Sequence, residues 1–123
     1  MVELKYDPKI EILKVKFSGS IELEDIKDYV KRIVDLDDLP TNLDILNDMI
    51  DVDQYVSVDE VNKILRAVQP HLANYNRVRV ASVHEKPQST AISTLIRERN
   101  RFENMEYRVY SAQEAALEWL MIK

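Results

Sequence analysis

The stretch LDILNDMIDVDQYVS, residues 43–57, carries an apolar run, four aspartates and a serine. The run Leu43–Met49 is too short and too apolar for a surface helix, so it reads as an interior strand covered on both faces, with acids gathered at its carboxyl end. Ser57 followed by Glu60 forms a capping box, and Val61, Ile64, Leu65, Val68 and Leu72 make the apolar stripe of the helix it opens. A buried strand leading into an amphipathic helix is one repeat of a parallel α/β fold.

Upstream, VELKY (2–6) and EILKVKF (11–17) both alternate apolar with polar residues, and Asp-Pro-Lys (7–9) supplies turn residues between them. This predicts an antiparallel hairpin. Gly19, the only glycine in the chain, stands where the second strand must turn sharply. In LEDIKDYVKRIVDL (23–36) Ile26, Val30, Ile33 and Val34 share one helical face, acids at Glu22, Glu24 and Asp25 suit the helix dipole, and Pro40 ends the segment.

Downstream, RVRVASVH (77–84) reads as a strand, and after EKPQ (85–88) a third helix turns Ile92, Leu95 and Ile96 inward. Arg97, Arg99 and Arg101 fan over more than one face of that helix and make no stripe for tracking phosphates. EYRVY (106–110) is the last strand. Ser111 with Glu114 repeats the capping box of a final helix lined by Ala112, Ala115, Ala116, Trp119 and Leu120, which are placed by spacing as packing residues. The order ββαβαβαβα predicts a single α/β domain over residues 1–123: a mixed, mostly parallel sheet of about five strands with an N-terminal antiparallel hairpin and about four helices.

Composition supports this and excludes several functions. With 46% hydrophobic and 32% charged residues in 123, the chain has apolar surface enough for one core. No cysteine is present, which removes disulfides, thiol nucleophiles and thiolate metal sites. No apolar run reaches the roughly 20 residues of a membrane span, and MVELKYDPK lacks the pattern of a secretory signal, so a cytoplasmic location is expected. Residues 1–61 hold 16 acids and 7 bases, and residues 62–123 hold 6 acids and 10 bases. An acidic first half argues against nucleic acid, and the unequal halves permit self-association.

Several strings resemble the STAS domain family (sulphate transporter and anti-sigma factor antagonist), in particular its SpoIIAA-like branch. ILKVKFSGSIELEDI (12–26) resembles the family's strand, glycine and first helix, and LDILNDMIDV (43–52) its central acidic-ended strand. VASVHEKP (80–87) and VYSAQEAALEWL (109–120) are similar to its later strand and its closing strand and helix. The resemblance implies a module that binds a protein partner and is not an enzyme. Relatives that resemble CRAL-TRIO lipid carriers leave room for a small apolar or amphipathic ligand instead. It also implies a phosphorylatable serine in a DSSG-like string after the central strand. Here the equivalent NDMIDVDQYVS has no such string, and its first serine, Ser57, stands nine residues past Asp48.

In open parallel sheets, ligands and partners approach the carboxyl ends of the strands. That rim collects Ser18, Ser20, Asp48, Asp51, His84, Glu85, Lys86, Ser89, Thr90 and Ser111. The sites expected for a ligand or partner are Ser20, Asp48, Asp51, His84, Glu85, Ser89 and Thr90, with Ser57 as phosphoacceptor. An N-cap role explains Ser57 without a kinase. Gln88, Ser89 and Thr90 at the start of the third helix could hold an anion, though capping is the favoured account, since Ser and Thr are the usual caps.

Asp48, Asp51, Asp53, His84 and Glu85 offer oxygen and imidazole ligands without a recognised spacing. The EF-hand-like start at Asp51 and Asp53 breaks at Tyr55, Val56 and Asn62. No metal or cofactor is expected. A triad of Ser89, His84 and Asp48 lacks a nucleophile elbow. Tyr55 or Tyr75, if exposed, would anchor an interface.

Overall fold

Strand β1 (Val2–Asp7) pairs antiparallel with β2 (Ile12–Ser20), from Val2 opposite Phe17 to Asp7 opposite Ile12. The hairpin turn is fixed by the Lys9 N–H donating to Asp7 Oδ1 at 3.0 Å. These elements come from a computed structural model that describes residues 1–122. Helix α1 (Leu23–Val34), strand β3 (Asn42–Gln54), helix α2 (Val61–Leu72), strand β4 (Arg77–Val83), helix α3 (Pro87–Arg99), strand β5 (Met105–Tyr110) and helix α4 (Gln113–Leu120) follow.

The five strands lie in sequence order, β1-β2-β3-β4-β5, with every pair after the first parallel. Because each crossover steps the same way, the right-handed rule sends α1, α2 and α3 to one face of the sheet. The larger core lies there, built from Leu13, Val15 and Phe17 of β2, Leu43, Ile45 and Met49 of β3, Val78 and Val80 of β4, and the inward side chains of the three helices. α4 alone covers part of the other face, where Ala116, Trp119 and Leu120 pack on Ile12, Leu46, Ala81 and Val83. The rest of that face, over β1 and β2, remains a polar surface of Glu3, Lys5, Lys14 and Lys16, all exposed.

The expected element order holds, and the differences are local. β3 runs 13 residues, so Asp48, Asp51 and Asp53 lie within the strand and not in a loop beyond it. The parallel β2 keeps pairing with it past Asp48, through register shifts at Lys16/Ser18 and Gly19/Ser20, with Gly19 at φ 74°. α1 ends at Val34, well before Pro40, and Val34 is 39% exposed while the unanticipated Tyr29 is buried.

The box expected at Ser111 does not form: α4 is capped by Ala112 without a side-chain bond, and Ala112 and Ala115 are exposed. An 8-residue helix docked on one patch buries only its Ala116, Trp119 and Leu120 side.

The box at Ser57 does form, at a short 3-10 turn (Val58–Glu60) that leads into α2. The Glu60 carboxylate accepts from the Ser57 N–H at 3.0 Å and from its hydroxyl at 3.1 Å, which holds the Glu60 carboxyl below its ordinary range. Ser57→Ala is expected to lose about 1 kcal/mol in urea unfolding, the usual worth of a cap. A loss under a few tenths would mean the box adds nothing to stability.

Candidate functional site

The carboxyl-end rim does not assemble as one site, because the sheet divides it. Alternation along β3 and β4 places Asp48 on the α4 face and His84 on the opposite one. Asp48 accepts from the Gln113 side chain of α4 at 2.8 Å and from the Ile50 N–H at 3.1 Å. Asp51 is exposed and paired with Lys16 at 3.1 Å. Lys86 bonds the Val52 carbonyl at 2.9 Å and Asp53 at 3.3 Å, while Glu85 beside it is exposed. Ser20 is exposed and Ser18 half-buried.

Ser89 is buried and Thr90 half-buried, and both hydroxyls donate to the Lys86 carbonyl, at 3.4 and 2.7 Å. Neither is the cap of α3. Lys86 takes that position, Pro87 follows it, and the hydroxyls turn back toward Lys86 instead of toward an anion. Gln88 reaches across to the residue just after β3, where its side chain accepts from the Tyr55 N–H at 3.2 Å and donates to the Tyr55 carbonyl at 3.4 Å.

His84 is 1% exposed, with Nε2 at 2.7 Å from Ser82 Oγ and no partner at Nδ1. Burial pushes its pKa down to about 4, so the ring is neutral at pH 7. Ser89, His84 and Asp48 thus have separate partners, and the Ser-His-Asp arrangement is not built. Among the described residues no three His, Asp or Glu side chains gather as a metal site.

The convergence that sequence reading missed lies inside. Between the sheet and helices α1 and α2 is a cavity of about 100 Å³. Its walls are mostly apolar, with Phe17, Ile26, Ile45, Met49, Ile64 and Leu65 among them. Its half-buried or exposed lining residues are Val30 and Val34 of α1, Val68 and His71 of α2, Tyr75 after it, and Tyr107 of β5; all but Tyr107 gather at the C-terminal ends of α1 and α2, where the cavity opens.

Tyr29, Asn47, Tyr55 and Tyr107 also line it. The Tyr29 hydroxyl donates to Asn47 Oδ1 at 3.1 Å, and the Tyr107 hydroxyl to Ser93 Oγ at 3.2 Å. Burial pushes the Tyr29, Tyr55 and Tyr107 hydroxyls above the ordinary tyrosine range, so all three are neutral near pH 7. Tyr55 is 8% exposed, against the expectation of a surface anchor, because the chain leaving β3 at Gln54 turns into the core with Tyr55 and Val56. Tyr75 is half-buried.

The sequence matches the SpoIIAA-like family profile over residues 12–121. No curated protein matches it significantly. Among solved structures it is similar to an uncharacterized protein of the DUF3478 family with a SpoIIAA-like fold from Shewanella loihica PV-4. The identity is 17% and the TM-score 0.63, covering 98% of this chain and 92% of that one. At that identity the likeness is one of fold. No helix among the described residues is long and apolar enough to cross a membrane.

Proposed function

We propose that this chain, which belongs to the SpoIIAA-like family, is a non-enzymatic binding module that takes a small apolar molecule into the cavity between its sheet and helices α1 and α2. The observation that carries this reading is the cavity itself: about 100 Å³ of space with mainly hydrophobic walls and a mouth between two helix ends. Interiors normally pack without such voids, and an apolar void binds apolar solutes in preference to water. SpoIIAA-like folds are typically not enzymes, and the separation of Asp48, His84 and Ser89 described above supports that here.

The test is a titration of ¹³C-methyl-labelled protein with benzene and with cyclohexanone, followed by NMR. Saturable shifts are expected at Ile26, Ile45, Ile64 and Val68. They should be lost in Val68→Phe, which fills the mouth at a half-buried position and keeps the fold, as circular dichroism will verify. No saturable shift with either probe in the wild type overturns the reading.

A second reading, capture of a protein partner at the rim, is supported by an acidic groove lined by Ser20, Glu22, Glu24, Gln54 and Glu60. Val58, 48% exposed, stands in the turn just before Glu60. A partner there would present a basic surface with an apolar contact. Recovery of one protein from host extract by the wild type but not by Glu24→Lys would favour this reading; equal recovery by both would remove it.

A further inference from the structure

The walls of the cavity specify more than an apolar occupant. Of the tyrosine hydroxyls in it, two are satisfied by protein, that of buried Tyr29 by Asn47 and that of half-buried Tyr107 by Ser93. The Tyr55 hydroxyl has no hydrogen-bond partner among the described residues, although the residue is only 8% exposed and lines the cavity. The fully buried side-chain atoms without a partner among the described residues are Arg77 Nε and His84 Nδ1, so the unpartnered Tyr55 hydroxyl keeps accessible surface and stands open to an incoming acceptor.

The position of Tyr55 is also fixed. Its N–H and its carbonyl are both held by the Gln88 side chain, which straps this end of β3 to α3. The phenol is therefore a placed polar group in a mostly hydrophobic site, the pattern by which such pockets orient their ligands.

The chemistry of the missing partner follows. Burial keeps the Tyr55 phenol protonated, so it offers an O–H donor and calls for an acceptor. Among the lining side chains the only one able to carry positive charge is His71, half-buried at the mouth. A carboxylate or phosphate taken inside would leave its charge uncompensated, which excludes anionic groups from the interior. Size sets the last limit. A dry cavity of ~150 Å³ takes up the six heavy atoms of benzene, so this one, at about 100 Å³, encloses a group of roughly four heavy atoms, such as a carbonyl with its two flanking carbons, and the rest of the molecule lies in the mouth.

We propose that the cavity binds a small neutral molecule with an apolar ring or branched chain and one acceptor oxygen, such as a ketone, aldehyde or ester, and that the Tyr55 hydroxyl donates to that oxygen. The assignment rests on the cavity being a binding site, and the experiment separates the two.

Cyclohexanone and methylenecyclohexane have nearly the same shape and differ in the acceptor. Their dissociation constants are measured by methyl NMR on wild type and on Tyr55→Phe. The substitution removes only an unpartnered hydroxyl, so its melting temperature should not fall. Tyr55→Phe should weaken cyclohexanone about 5- to 10-fold, the worth of one net hydrogen bond, and leave methylenecyclohexane within about twofold. If both probes bind wild type and Tyr55→Phe weakens them equally or not at all, the hydrogen-bond assignment is wrong and the apolar cavity stands. If neither of them nor benzene binds wild type, both fail; if benzene alone binds, the hydrogen-bond assignment fails and the apolar cavity stands.

Discussion

Arg79→Met is expected to lower the unfolding free energy by about 3 kcal/mol, because it removes the two short bonds to the buried Asp44 carboxylate and leaves it the longer contact with Arg77 at 3.5 Å. Arg79 and Asp44 sit side by side on β4 and β3 with side chains 5% and 1% exposed, joined by Nε to Oδ1 at 2.8 Å and Nη2 to Oδ2 at 2.9 Å. The same guanidinium donates to the carbonyls of Leu120 at 2.8 Å and Ile122 at 2.6 Å, satisfying the end of α4, and lies 5.3 Å from the Trp119 ring centre. One side chain thus makes the short bonds to the one buried acid among the described residues, which Arg77 also meets at 3.5 Å, and closes a helix terminus.

For a domain of this size the loss corresponds to a melting-temperature drop of about 12 °C. Arg79→Lys, which keeps the charge without the fork, should fall between. The double variant Asp44→Leu with Arg79→Met should recover part of the loss, since an apolar pair replaces a buried ion pair at small cost, and the uncapped α4 carbonyls should prevent full recovery. A single-variant loss under about 1 kcal/mol in urea unfolding would show that water reaches the pair.

The second large effect is on acid stability, and it belongs to His84. An unfolded imidazole titrates near 6.5, and the folded one at about 4. Between those values the unfolded chain binds a proton that the folded chain refuses, so stability is full above pH 6.5 and falls as pH drops toward 4. The contribution lost is about 3 kcal/mol by linkage.

Carboxylates add their own dependence, so the measurement is a difference. Wild type and His84→Gln, in which the amide can keep the bond to Ser82, are unfolded in urea at pH 7 and at pH 4. Relative to wild type, the variant should gain about 3 kcal/mol on going from pH 7 to pH 4. An unchanged gap would mean that the ring protonates without leaving its site.

What was legible in the sequence was whatever periodicity records. Alternation gave the hairpin, the 3.6-residue stripe gave α2, and the Ser57–Glu60 pair gave its start, because each is set by neighbours in the chain. The extent of β3 was not legible: its last residues look like an acidic loop, and only pairing with β2 through the shifts around Gly19 makes them strand.

The turn of the chain after β3 moved Tyr55 from surface to core. The capping motif at Ser111 was present in letters, but Ala112 took the position when α4 docked. The cavity was illegible for a different reason. Ile, Leu and Val at core spacing fill a core or line a void with the same pattern, and the distinction lies in how closely α1 and α2 approach the sheet. The one available signal was three tyrosines, Tyr29, Tyr55 and Tyr107, at positions where purely aliphatic packing would have served.

The strand order has a kinetic meaning. In most doubly wound sheets the chain begins in the middle and later strands return to pair with early ones. Here each strand's neighbour is the one made just before it. A chain emerging from the ribosome therefore always has its next docking edge already formed, and loop closure never spans more than one crossover. Folding should proceed by addition at a single growing edge, from β1 toward β5, with each intermediate exposing one unpaired strand to the next segment of its own chain.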